Sequence, residues 1–199
     1  MKLNRRGFLI GSASAALCAG AVPETGKAGG KDATGRVPPP PPGSGSAEAL
    51  LRKCTACNLC VSRCPSHVLK AAGLEYGLAG VMMPRMDFAR GYCRPDCNEC
   101  GKVCPSGAIR PFDLSEKKRM RQAAAIYVKD DCLVLKEKFA CGNCATHCPY
   151  KAIAMEKAAD GRAYPKLDPA KCVGCGACEY HCPSKAIRVV GRPEEEVRA

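Results

Sequence analysis

Four times between Cys54 and Pro183 the chain gathers four cysteines into a short span and ends the group on Cys-Pro. The first run is Cys54-x2-Cys57-x2-Cys60-x3-Cys64-Pro65, and the second is Cys93-x3-Cys97-x2-Cys100-x3-Cys104-Pro105. The third is Cys132-x8-Cys141-x2-Cys144-x3-Cys148-Pro149, and the fourth is Cys172-x2-Cys175-x2-Cys178-x3-Cys182-Pro183. Each Cys-Pro is followed by an apolar step: Val68-Leu69, Ala108-Ile109, Ala152-Ile153 and Ala186-Ile187. Of the 17 cysteines in 199 residues, only Cys18 stands outside these groups. No stretch of about 18 apolar residues exists to span a membrane, and with no Trp and few other aromatics an ordinary aromatic-anchored enzyme core is also disfavoured.

The spacing selects a chemistry. Three cysteines at successive two-residue gaps curl their thiolates around one face of a cuboidal 4Fe-4S cluster, with loop N–H groups directed at the sulfurs. The fourth, followed by Pro, is expected to open a short helix, since proline suits a first helical position. It then points away from its own loop toward a second cluster, as in two-cluster ferredoxins. Zinc sites instead bring cysteines as two separated pairs. Disulfides inside such short loops would constrain the unfolded chain little. The expected cofactors are four 4Fe-4S clusters. Their iron ligands are Cys54, Cys57, Cys60, Cys64, Cys93, Cys97, Cys100, Cys104, Cys132, Cys141, Cys144, Cys148, Cys172, Cys175, Cys178 and Cys182; Cys93 is the least regular of these within its loop. A structural protein held by zinc or disulfides is the alternative from another class.

Residues 1–21 carry paired arginines (Arg5-Arg6), then an apolar run and a small-residue exit at Ala19-Gly20-Ala21. The pattern resembles a twin-arginine export signal, with Asn4 and Ile10 departing from its usual residues. Cys18 leaves with such a leader. Residues 22–47, with the unbroken run Pro38 to Pro42, are expected to be a disordered Pro/Gly-rich linker. Residues 48–191 form the cysteine-bearing domain, and 192–199 a C-terminal tail.

Asp113, with Glu116 three residues on, predicts a helix reaching about Ala124. It carries Lys117, Lys118, Arg119 and Arg121 on what reads as a solvated face, a docking face for an acidic partner being the sharper alternative. His67, His147 and His181 read as surface or capping residues rather than donors to cluster sulfur. The segment from Leu74 to Arg90, with Met82, Met83 and Met86, packs over the first cluster or forms a partner surface, and sequence leaves both open. Nothing resembles a nucleotide-binding glycine loop, because Gly174-Cys175-Gly176 lies inside a cysteine run.

Residues 48–191 resemble an exported four-cluster polyferredoxin of the NapG/MauM ferredoxin-type family, on the leader, the regular outer runs and the altered middle runs. The four-run layout is also similar to iron–sulfur subunits of molybdopterin oxidoreductases. The resemblance implies an α+β fold of two bacterial-type dicluster ferredoxin units. Two arrangements are open: tandem units over 50–110 and 125–191, or a nested pair. The nested pair is the expectation, with an outer unit (48–75 with 160–191) and an inner unit (88–157). Nesting groups Cys54, Cys57 and Cys60 with Cys182, and Cys172, Cys175 and Cys178 with Cys64. It groups Cys93, Cys97 and Cys100 with Cys148, and Cys132, Cys141 and Cys144 with Cys104. The resemblance further implies an electron carrier rather than an enzyme, relaying electrons between a membrane-bound quinol or iron–sulfur donor and an exported redox enzyme. It would work in the periplasm or on the outer face of the cytoplasmic membrane, peripheral to that membrane. The formal charge of +12 supplies no reason for a nucleic-acid partner. Loss of Lys2, Arg5 and Arg6 with the leader, and about −2 for each cluster with its thiolates, bring the molecule near neutrality.

Overall fold

The computed structural model describes residues 37–137 and 139–198. The proposed leader and the first part of the linker, residues 22–36, lie outside them. The described residues fold into short helices and three two-stranded antiparallel sheets. The helices are α1 (Ala47–Lys53), α2 (Leu59–Ser62), α3 (Glu99–Lys102), α4 (Leu114–Lys117), α5 (Leu133–Lys136), α6 (Asn143–Thr146), α7 (Ala177–Tyr180) and α8 (Glu194–Arg198). The strands are β1 (Leu69–Ala71), β2 (Pro84–Met86), β3 (Ala123–Tyr127), β4 (Ile153–Lys157), β5 (Ala163–Leu167) and β6 (Ile187–Gly191). Among the described residues no helix is long and apolar enough to cross a membrane.

The strands fix which runs face each other. β3 leads into the third run and pairs with β6, which leaves the fourth, in the register Ala125↔Val189. β4 leaves the third run and pairs with β5, which leads into the fourth, in the register Met155↔Pro165. The third and fourth units are thus exchanged halves of one body. In the amino-terminal half β1 pairs with β2, and the core gathers Leu50, Val68, Met86 and Ile109. Met83 and Met86 lie in that core while Met82 is half exposed, so the methionine segment divides between the two roles left open by sequence.

Three expectations are corrected. The proline run is not a free tether: Pro38 to Pro42 are buried, and the strap from Val37 to Ser46 is tied to both halves of the molecule. The Pro39 carbonyl accepts from the Met86 N–H (2.8 Å), the Val37 carbonyl from the Gly191 N–H (2.9 Å) and the Gly43 carbonyl from the Arg110 N–H (3.0 Å). The Tyr76 hydroxyl donates to the Pro38 carbonyl (3.1 Å). Proline has no N–H to strand in the interior, so an extended proline segment can be buried once its carbonyls find donors. Next, the helix begun by Asp113 ends at Lys117 because β3 claims the chain from Ala123; its capping box is present, with Asp113 accepting from the Glu116 N–H. Finally, the tail turns into α8, which meets α1 through an Arg52–Glu194 ion pair at 2.7 Å.

Candidate iron–sulfur sites

In every run the third cysteine, Cys60, Cys100, Cys144 or Cys178, sits in the short helix α2, α3, α6 or α7. The fourth follows the helix and, contrary to expectation, opens a turn instead of a new helix. Its carbonyl accepts from the N–H three residues on: His67 to Cys64 (3.1 Å), Gly107 to Cys104 (3.4 Å), Lys151 to Cys148 (3.1 Å) and Lys185 to Cys182 (3.3 Å). Proline presets the second residue of such a turn. The four donors all have left-handed backbone, which carries the chain away before a helix can start.

That turn directs N–H groups at sulfur. The Cys104 sulfur accepts from Ile109 N–H (3.3 Å), Cys148 from Ala152 (3.3 Å) and Cys182 from Ala186 (3.2 Å). Cys54 accepts from Ala56 (3.4 Å) and Cys172 from Ala125 (3.4 Å). Sequence reasoning missed a further group: Ser66, Ser106 and Ser184 place a hydroxyl 3.6, 3.7 and 3.7 Å from the fourth cysteine of their runs. The repeated Cys-Pro-Ser was the signal available. The third unit replaces that serine by Tyr150, whose buried hydroxyl has no hydrogen-bond partner among the described residues.

The sixteen cysteines fall into four groups, each joining three from one run to the fourth cysteine of its neighbour. Cys64 lines one cavity with Cys93, Cys97 and Cys100. Cys182 lines another with Cys132, Cys141 and Cys144, and Cys148 a third with Cys172, Cys175 and Cys178. Their empty volumes are similar, about 330, 370 and 310 Å³. In the remaining group Cys104 acts on Cys54 and Cys60 beside Cys57; burial and then Cys54 and Cys104 push the Cys60 thiol up to about 11. We number these sites by the run that gives three cysteines, 1 to 4. The nested grouping is thereby overturned: the runs pair as neighbours, 1 with 2 and 3 with 4. The physical reason is the strand pairing, since β3 with β6 and β4 with β5 bind unit 3 to unit 4.

Burial raises several of the thiols. Burial, then Cys93, drives the Cys100 thiol up to about 12. Burial likewise carries Cys175 to about 12 and Cys144 to about 11, and it raises Cys178, where Cys175 and Cys172 add to the effect. Cys104 goes the other way: burial opposes ionisation, but the Ile109 N–H and the Ser106 hydroxyl bring it down. Neighbouring buried sulfurs resist ionising together without a cationic occupant. Among the described residues no three His, Cys, Asp or Glu side chains are placed to hold a single metal ion, and the sixteen described cysteines are free of disulfides. Sets of four soft thiols lining one cavity suit an iron–sulfur cluster.

The sites lie in series. The Cys93 N–H donates to the Cys175 carbonyl (2.9 Å), joining site 2 to site 4 across the two halves. Sites 1 and 2 share one half, and sites 3 and 4 the other, so the order is 1–2–4–3. His147 and His181 stack at 3.8 Å between ring centroids, and the Nδ1 of His147 lies 2.9 Å from the Asn143 carbonyl. They join Tyr92 and Tyr180 in an aromatic group at the edge of the junction. Hydrogen bonding to the helix fits the capping role expected for His147.

Comparison with known proteins agrees with the donor sets. Residues 139–186 match the family described as a 4Fe-4S dicluster domain. The chain is 31% identical over 141 residues to the methylamine utilization ferredoxin-type protein MauM of Methylophilus methylotrophus, covering 67% of this chain and 61% of that protein. It is 27% identical over 134 residues to the ferredoxin-type protein NapF of Escherichia coli K12, covering 67% and 73% respectively. It is 34% identical over 121 residues to the ferredoxin-type protein NapG of the same organism, covering 58% and 51%. The matched part thus spans about three fifths of the MauM relative's length. The chain is related to ferredoxin-type iron–sulfur proteins, and its third and fourth runs carry a 4Fe-4S dicluster match.

Proposed function

We propose that this chain is an electron carrier holding four 4Fe-4S clusters in two tandem dicluster ferredoxin units. It would relay electrons between a membrane-bound donor and an exported redox enzyme after twin-arginine export. The observation that carries the reading is the division of sixteen thiols into four sets of four, in series, with no cysteine of the described runs left over. Each bound cluster would accept and release one electron. The chain supplies the rest: Cys54, Cys57, Cys60 and Cys104 hold the first, and Cys64, Cys93, Cys97 and Cys100 the second. Cys148, Cys172, Cys175 and Cys178 hold the one across the junction, and Cys132, Cys141, Cys144 and Cys182 the last.

The two terminal sites are the natural places for partners. At site 1 Cys57 is exposed beside the half-exposed Leu59, and at site 3 Phe139 and Leu135 are exposed near Cys141. Sites 2 and 4 stand between them in the series, and at site 4 the Ala152 and Ala125 N–H groups donate to the Cys148 and Cys172 sulfurs. Anaerobic purification tests the reading: about sixteen irons with matching acid-labile sulfide are expected, with paramagnetic signals on reduction. Zinc, or a full set of disulfides, overturns it. Export is tested separately, since replacing Arg5 and Arg6 by Lys should leave the protein in the cytoplasm.

A further inference from the structure

Lys117 is 3% exposed, at the end of α4. Its Nζ donates to the Arg94 carbonyl (2.5 Å) and to the Cys97 carbonyl, gripping the second run on both sides of its extra residue. It also lines the cavity between Cys64, Cys93, Cys97 and Cys100. Lysine is almost never fully buried unless paired. Here the adjacent acids are committed elsewhere, Asp96 to Arg94 at 2.8 Å and Glu116 to Arg110 at 3.2 Å. Carbonyl dipoles satisfy the donors but do not neutralise the charge. The anionic partner this ammonium lacks among carboxylates is supplied by whatever the four thiolates hold.

The other cavities differ. Neither the lining of site 3 nor that of site 4 contains a Lys, Arg, Asp or Glu. At site 2 the remaining charged residues, Arg94 and Glu99, form exposed pairs with Asp96 and Lys102. Among the described residues Lys117 is therefore the one buried charge at any of the three cavities.

We propose that Lys117 is a positioning residue and a fixed positive charge for the cluster at site 2, raising its reduction potential so that this site fills with an electron before the other three. The inference rests on the four-cluster reading. One-electron reduction adds a negative charge to a cluster; a cation close by in a poorly screened interior stabilises the reduced state more than the oxidised one. Site 2 lies second in the series 1–2–4–3, at the junction of the halves, so an electron resting there is held at the crossing point between them.

The test compares the wild-type protein, Lys117→Met and Lys117→Arg, purified anaerobically with iron and sulfide counted, in redox titrations followed by electron paramagnetic resonance. Lys117→Met should displace one of the four midpoints downward by a tenfold change in the reduction equilibrium, 59 mV for one electron. The other three midpoints should stay in place, and Lys117→Arg should keep the wild-type pattern. A fully loaded Lys117→Met protein with all four midpoints unmoved overturns the proposal. Should that variant lose iron, the wild type decides: protein labelled with 15N at lysine side chains is poised so that only its first electron is present. Hyperfine coupling of that electron to a lysine nitrogen, lost in Lys117→Arg, supports the proposal, and no coupling overturns it. A wild-type protein with far fewer than about sixteen irons fails the four-cluster reading instead, which the iron count reveals on its own.

Discussion

Gly176 and Gly174 lie at left-handed positions in the fourth run, and Ala56 and Asn58 take the same backbone in the first. A Cβ at Gly176 would stand 2.0 Å from the Phe88 ring, and one at Gly174 2.4 Å from the Ala123 Cβ. The crowding that requires glycine here comes from Phe88 of the other half and from β3. Gly176→Ala should therefore overpack this contact at a cost of about 1–3 kcal/mol, seen as a lower thermal midpoint of the loaded protein. An unchanged midpoint would show that Phe88 moves aside freely. Tyr150 gives a second residue-scale prediction. Its hydroxyl lines site 4 without a protein partner and lies near Cys175 and Cys93. Tyr150→Phe should leave iron content unchanged and lower the site 4 potential by removing a hydroxyl that is left to donate to the sulfide of a bound cluster, as read in a redox titration. The candidate cysteines were legible in the sequence because all four runs share the local pattern Cys-x2-Cys-x3-Cys-Pro. Lys117 was legible only as one charge in a basic stretch, since its burial depends on where β3 cuts α4 short.

At the scale of elements the strap shows what composition conceals. Pro38 to Pro42 read as a tether because prolines and glycines surround them, yet the donors to the Pro38, Pro39 and adjoining Val37 carbonyls, Tyr76, Met86 and Gly191, are far away in sequence, where no local pattern reports them. A chain beginning at Ala47 should be less stable than one beginning at Val37, because those donors lose their partners inside the fold and each buried orphan costs about 1–3 kcal/mol. Equal denaturation midpoints for the two would refute the strap's role. The cap of α4 gives a pH dependence. Asp113 is held below the ordinary carboxylate range, first by the Glu116 N–H and then by the Ser115 hydroxyl. Its folded value is depressed, so its contribution is complete above the unfolded value of about 3.9 and is lost as pH falls through the folded one. Amide exchange at Glu116 and Lys117 should accelerate relative to the intrinsic rate over that descent, and Asp113→Asn should flatten the change.

At the scale of the molecule, spacing misled. The regular first and fourth runs suggested partners for each other, as did the two irregular ones, and the structure instead joins one regular run to one irregular run in each half. Regularity reports the path of a loop: the first and fourth carry two left-handed residues that the second and third do not share. Pairing is decided by strand register, which lies outside the runs. The two groupings predict different iron losses. Cys132→Ser combined with Cys182→Ser should cost one cluster, leaving about twelve irons, because both residues serve site 3. Cys54→Ser combined with Cys182→Ser should cost two, leaving about eight, at four irons per cluster. Nesting would reverse the pattern, so iron and sulfide analysis of these two double variants distinguishes the arrangements.

The strap also orders events in time. Val37 is made early and Gly191 late, and the hydrogen bond between them closes nearly the whole described chain into a loop. Contacts so distant in sequence carry the largest closure entropy and form slowly. The strap can therefore lock only after both halves exist and face each other, which makes it a latch whose closure marks completion. Proteolytic cleavage within residues 37–46 should accordingly persist through refolding until the carboxy-terminal half has assembled, and then stop.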